Sequence, residues 1–260
     1  MKLYIDPSGG IAGDMFAAAL ISAGADKVVM LRAMKIAAEM LGTASLDAVL
    51  TEDGATRLNI SIDRKNASLS GHQAHQLLQQ AFSASKIETL YQTFGVKALQ
   101  ILIDAELKAH RENPFLTKHA HHHHETPHTP LNEDAFLHEA QDILIDIMGA
   151  SMGLQLLRAP VEACLVAPVS LGGGYVAFSH GRLPIPAPAT KNIFEAHGVP
   201  GIMGPIESEL CTPTGAALLA ALKVKLGADC QGTIVNAGTS RGSRNLPVPA
   251  LAIRICKSEE

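Results

Sequence analysis

The chain has 260 residues, 47% of them apolar, a mean hydropathy of +0.16 and a formal net charge of -4. That is enough aliphatic material for one large core or two small ones, and with no Trp the core is one of Ala, Leu, Ile and Val. A nucleic-acid binder carries a basic stripe and a membrane helix needs about 18 unbroken apolar residues; the sequence has neither, so no nucleic acid and no membrane is expected among its partners. The start, Met1-Lys2-Leu3-Tyr4-Ile5-Asp6, lacks the long apolar run of a signal peptide. Cys164, Cys211, Cys230 and Cys256 are widely spaced and form no CxxC pair. The chain therefore reads as cytoplasmic, with reduced cysteines.

Lys2 to Asp6 reads as a short strand, followed by a glycine turn, Pro7-Ser8-Gly9-Gly10-Ile11-Ala12-Gly13-Asp14. Helices are expected over 15–24, ended by Gly24, and over 27–41. Alternation over 45–51 and 57–63 around Asp53-Gly54 predicts a hairpin. Residues 71–109 read as helical with short breaks, and residues 132–158 as one long helix. Between them lies the stretch with six of the twelve histidines, His119, His121, His122, His123, His124 and His128. Six neighbouring imidazoles cannot all face inward, so a mobile loop at about 115–131 is expected. Beyond Pro160 the texture changes: a strand over 161–169, a turn at Leu171-Gly172-Gly173-Gly174 and a second strand over 175–178. Pro184, Pro186 and Pro188 forbid helix until Pro188 begins one through His197. A helix over 215–226 and strands at 234–235 and 252–255 close the chain. The expected fold class is α/β or α+β, a mixed sheet with several long helices in a single unit over 1–260.

Several groups of residues carry chemistry. Neutral imidazole suits Ni, Zn, Cu and Co, so the histidine stretch points to metal capture. Ser8, Gly9, Gly10 and Gly13 lie between a strand and a helix, where backbone N–H groups and the helix dipole favour an anion, and Asp14 follows them. In a continuous helix, His138, Asp142 and Asp146 sit at i, i+4 and i+8 and share a face, suited to a divalent metal or to proton transfer. Glu106 with His110, and His72 with His75, read as surface helical pairs. His180 can shuttle a proton or ligate metal, and Arg182 can fork onto a phosphate. Thr212 or Thr214 can cap the helix that Gly215 begins, with Glu207 and Glu209 as nearby ligands or bases. Cys211 reads as a lone buried cysteine, and residues 237–242 as a polar glycine turn. No Gly-x-Ser-x-Gly elbow is present, which disfavours acyl transfer.

In order, Asp6-Pro-Ser-Gly-Gly-Ile-Ala-Gly-Asp14, Phe136-Leu-His138-Glu139, Asp142-Ile-Leu-Ile-Asp146-Ile-Met-Gly, Leu171-Gly-Gly-Gly174, His180-Gly-Arg-Leu-Pro-Ile-Pro-Ala-Pro-Ala-Thr190 and Glu209-Leu-Cys-Thr-Pro-Thr-Gly-Ala-Ala217 resemble the LarC family of nickel-insertion proteins across almost the whole chain. The resemblance implies a CTP-dependent nickel chelatase that converts pyridinium-3,5-bisthiocarboxylic acid mononucleotide into the nickel-pincer nucleotide of lactate racemase-type enzymes. It implies metal ligands among the six clustered histidines, His138, Glu139 and Glu209. It implies catalytic work by Asp14, His138, Asp142, Asp146 or His180. Nucleotide contacts are implied at Ser8, Gly9, Gly10, Gly13, Arg182, Thr212, Thr214 and Gly215. Family members carry a further C-terminal domain, implied to bind CTP with Mg or Mn. This chain stops at Glu260, about where that domain begins, so the expectation is either a separate CTP-binding partner chain or a reduced version of the protein, with a homo-oligomer as a further expectation. The other reading is a non-catalytic nickel chaperone or store.

Overall fold

A computed structural model describes residues 1–63, 68–113, 136–178 and 181–257, without the side chains of Phe136, 176–178 and 181–182. The histidine stretch and His180 lie outside the described residues, as does the loop expected at about 115–131.

The described chain is α/β. Its sheet has the strand order β11-β6-β1-β13-β12-β3-β2, in which β1 (Lys2–Asp6) lies inside the sheet, parallel to β6 (Ala163–Leu165) and antiparallel to the central β13 (Leu251–Lys257). β12 (Thr233–Ser240) runs antiparallel to β13, and β11 (Lys225–Leu226) extends the other edge. β2 (Ala44–Leu50) and β3 (Thr56–Ile62) form the expected hairpin, closed by Thr51 Oγ1 donating to Asp53 Oδ1 at 2.6 Å.

Helix α1 (Gly13–Ser22) packs on β3, β12 and β13 with one side and on α5 (Ala140–Leu156) with the other. α5 is buried at every position from Ala140 to Leu154 except the half-buried Asp142, as befits a helix with almost no solvent face. Two glycines permit that burial. A Cβ on Gly149 would clash with Ala17 and one on Gly153 with Leu20, so α1 and α5 approach closely. α2 (Lys27–Glu39), capped by Asp26 accepting from Val29 N–H, packs on α5 as well. α4 (Thr89–Glu112) lies along α5, α6 (Pro188–His197) and α7 (Pro213–Ala221), while α3 (Gly71–Ala84) begins in a Ser70–Gln73 capping box.

Several boundaries differ from the sequence expectation. The helix expected over 132–158 starts only at Ala140, because Phe136–Leu137 (β5) pairs with Leu69–Ser70 (β4) and Glu139 turns the chain with a φ of 57°. The strand expected over 161–169 divides into β6 and β7 (Val169–Ser170), and β7 pairs with β10 (Gly201–Ile202). β8 (Tyr175–Phe178) is joined by an unforeseen partner, β9 (Gly181–Pro184). The expected turn at 237–242 is mostly strand, since β12 runs to Ser240 against β13. Cys230 and Cys256 are joined in a disulfide, against the expectation of four reduced cysteines, because the chain entering β12 lies beside the end of β13; Cys164 and Cys211 are free thiols. Among the described residues no helix is long and apolar enough to cross a membrane.

The disulfide closes a loop across 26 positions, which restricts the unfolded chain. Reduction, or a Cys230→Ser/Cys256→Ser pair, is expected to lower the unfolding free energy by about 3 kcal/mol. Urea midpoints with and without reductant test this; coincident curves would show that the bond adds nothing to stability.

Candidate functional site

A cavity of about 470 Å³ opens where four helices begin and one ends. Its wall takes Ala12, Asp14 and Met15 from the start of α1, His138, Glu139 and Asp142 from the start of α5, and Ala187, Pro188 and Ala189 from the start of α6. The start of α7 adds Thr212, Pro213 and Thr214, and the last turns of α4 add Glu106, Ala109 and His110. Helix N-termini leave backbone N–H groups without intrahelical partners and carry a partial positive charge, so acids are favoured there.

Six carboxylates line this cavity: Asp14, Glu106, Glu139, Asp142, Asp146 and Glu209. Asp146 is only 4% exposed and lies against Gly13, whose missing Cβ would fall inside the Asp146 carboxyl group. Among the described residues, the buried Asp146 Oδ1 and Glu209 Oε1 have no hydrogen-bond partner. Burial, reinforced by the charges of Asp142 and Asp14, pushes Asp146 well above the usual carboxylate range. Asp142 is pushed to about 7 by burial and by Asp14 and Glu139. Glu106 is also held at about 7, by burial and then by Glu139. Glu209 reaches about 7 through burial, against the opposing pull of Arg244. Asp14 is raised by burial although Met15 N–H donates to it at 2.8 Å.

The His110 and His138 rings face one another, 5.7 Å between centres and 28° between planes, and Ser68 Oγ sits 3.1 Å from His138 Nδ1. Two guanidinium groups also line the cavity. Arg241 is tied to Asp53 and to the Val248 carbonyl, and Arg244 donates to Ser208 Oγ at 3.0 Å and to the Glu209 carbonyl at 3.1 Å.

The nickel insertion protein family matches residues 3–260. The chain belongs to that family. It is 30% identical over 269 residues to an Akkermansia muciniphila protein named pyridinium-3,5-bisthiocarboxylic acid mononucleotide nickel insertion protein, covering 99% of this chain and 61% of that one. A Nocardioides sp. protein of the same name is 29% identical over 245 residues, covering 93% of this chain and 56% of its own. A Synechococcus sp. relative named for nickel insertion alone is 31% identical over 264 residues, covering 96% and 59%. The chain thus spans less than two thirds of the length of these relatives. No solved structure matches.

Within this family member, the structure brings Asp14, His138, Glu139, Asp142, Asp146, Glu209, Thr212 and Thr214 to one cavity. His138 arrives from the turn before α5 rather than from the expected helical face. Glu106 and His110, expected as a surface pair, are cavity residues, since the buried side of α4 continues through them; Arg244 drew no notice in the sequence. His72 and Gln76 are bonded on exposed α3, and His75 bonds Gln100. The glycines serve backbone approach. Gly9 faces the Pro249 carbonyl, Gly10 (φ 94°) the Leu210 carbonyl and Gly215 the Ile11 carbonyl, while the Ser8 carbonyl accepts from Ser170 Oγ. The Thr212 hydroxyl accepts from Gly215 N–H at 3.2 Å, as an N-cap should. Cys211 is buried, which raises its thiol pKa and keeps it protonated. Among the described residues no group of three His, Cys, Asp or Glu side chains is disposed to hold a metal ion, so His138, Glu139 and Glu209 do not form a closed ligand set.

Raised carboxylates mean that the folded chain binds more protons than the unfolded one between about pH 4 and 7, so stability falls as pH rises through that window. Melting curves from pH 8 down to 5 are expected to show a flatter slope for Glu106→Gln and Asp142→Asn, with both variants more stable than the parent at pH 8. A parent-like slope in both would contradict the burial argument. Gly13→Ala is expected to cost about 1–3 kcal/mol by forcing Asp146 away, measured by the same denaturant titration; a neutral substitution would mean that the α1–α5 contact is loose.

Proposed function

We propose that this cavity inserts Ni(II) into pyridinium-3,5-bisthiocarboxylic acid mononucleotide, giving the nickel-pincer nucleotide used by lactate racemase-type enzymes. The observation that supports it most is the meeting, in one cavity, of six carboxylates, two imidazoles and two guanidinium groups. Such a lining suits a cation and a phosphate-bearing anion together. Arg241, Arg244, Thr212 and Thr214 take the phosphate in this reading, with Arg182 and His180 kept as candidates from the sequence.

The metal is a substrate here. Nickel exchanges its water and imidazole ligands for the two sulfur atoms of the mononucleotide, and a carbon–nickel bond replaces a carbon–hydrogen bond. The released proton goes to a carboxylate. Asp142 suits that task because a base with a pKa near the working pH accepts a proton and gives it up again readily, and Asp146 lies beside it, deeper in the cavity. No described residue is assigned to CTP; in this reading CTP with Mg or Mn acts through a separate unit.

Asp142→Asn and Asp146→Asn are each expected to slow insertion by about 100-fold in a reconstituted reaction, with mononucleotide affinity little changed. Mass spectrometry of the nickel-bearing product reads the rate. Unaltered insertion after alanine replacement of Asp14, His138, Asp142, Asp146 and His180 together would refute the reading. Nickel binding that vanishes with the six clustered histidines and ignores the mononucleotide would favour a store instead.

A further inference from the structure

We propose that His110 and His138 form a two-imidazole hand-over site for the metal, with the other coordination positions left to the incoming substrate. The substrate part of this rests on the insertion reading; the metal part does not.

Two imidazoles bonded to one ion at about 2.0–2.1 Å place their ring centres roughly 5–6 Å apart. The observed 5.7 Å falls in that range. The two rings come from independent elements. His110 is in the last turn of α4, where the negative end of the helix dipole favours a cation. His138 is in the turn before α5, and Ser68 Oγ at its Nδ1 orients the ring as an outer hydrogen-bond partner does for a metal-binding histidine. Glu106, one helical turn before His110, lines the same cavity. A deeper oxygen lies in the same cavity, Asp146 Oδ1, which is buried and has no partner among the described residues.

The chemistry of transfer favours a small protein ligand set. Imidazole is soft enough for nickel, yet two imidazoles leave positions for the sulfur atoms of the mononucleotide. A site closed by four protein ligands holds its metal; one with an open position exchanges ligands. In sequence, the six clustered histidines lie between His110 and His138.

The test uses the full chain with His119, His121, His122, His123, His124 and His128 replaced by Asn. Calorimetric titration with Ni(II) is expected to retain one binding event, weakened at least 10-fold by His110→Gln. With Cu(II) as a spin probe, electron spin-echo modulation is expected to count two imidazoles, and one after the substitution. His138→Gln gives the same readouts from a different element, so a folding defect in one variant leaves the test intact. Loss of all nickel binding with the six histidines, or an affinity and imidazole count unchanged by both glutamine variants, would overturn the pair. Nickel bound through the pair without any insertion would reject the insertion reading and leave the pair standing. Insertion that survives while both variants bind nickel normally would do the reverse.

Discussion

The cavity depends on one contact, the Asp146 carboxyl lying on Gly13. It sits where the first turn of α1 crosses the second turn of α5, and a side chain at position 13 would occupy the carboxyl's place. The same crossing continues through Gly149 against Ala17 and Gly153 against Leu20, so α1 and α5 run in close register. That register presents Asp14, Asp142 and Asp146 to one space. An ionised carboxylate buried alone is costly, and three side by side are costlier still. The helix N-termini gathered at the cavity offset part of the cost, and protonation offsets more, as the raised pKa values of Asp142 and Asp146 express.

Such a cavity favours an arriving cation, because charge neutralisation relieves repulsion already built into the fold. An insertion protein has a second requirement, that the metal leave again. Carboxylates with proton affinities near neutrality and imidazoles on separate elements bind without enclosing. Arg241 and Arg244 meet a different need. Arg244 is anchored to the Glu209 carbonyl and Ser208, and Arg241 to Asp53, so both charges are held in a fixed orientation at the cavity, as the proposed phosphate contact requires.

Much of this was legible along the chain because local signals and tertiary demands agree. The Asp53-Gly54 hairpin, the Pro188 helix start and the Thr212 cap are short-range features, and each stands where the residues put it. The motifs at Asp14, His138, Asp142, Asp146 and Glu209 also lead to a single cavity. What escaped depends on distant partners. Leu137 pairs with Leu69, a long-range bridge that delays the start of α5 to Ala140 and that no periodicity announces. Glu106 and His110 have the i, i+4 spacing of any surface pair, and only the packing of α4 beside α5 separates the two cases. Arg244 follows a polar turn and gains its meaning from Glu209, far off in sequence. The Cys230–Cys256 bond likewise follows from strand order, which cysteine spacing does not encode.

α4 does two jobs along its length. Its first half is fastened to the body, with Tyr91 donating to the Ala159 carbonyl and Lys97 to the Ala221 carbonyl. Its last turn ends at Asn113, whose side chain and backbone both donate to the Ala109 carbonyl. Helix ends fray in isolation from the rest of a fold, on timescales far shorter than global unfolding. Melting one turn here would swing His110 away from His138 while α5 and the sheet stay intact. Were an ion held by the proposed imidazole pair, its lifetime would be set by the fraying of a helix end and not by the stability of the whole fold.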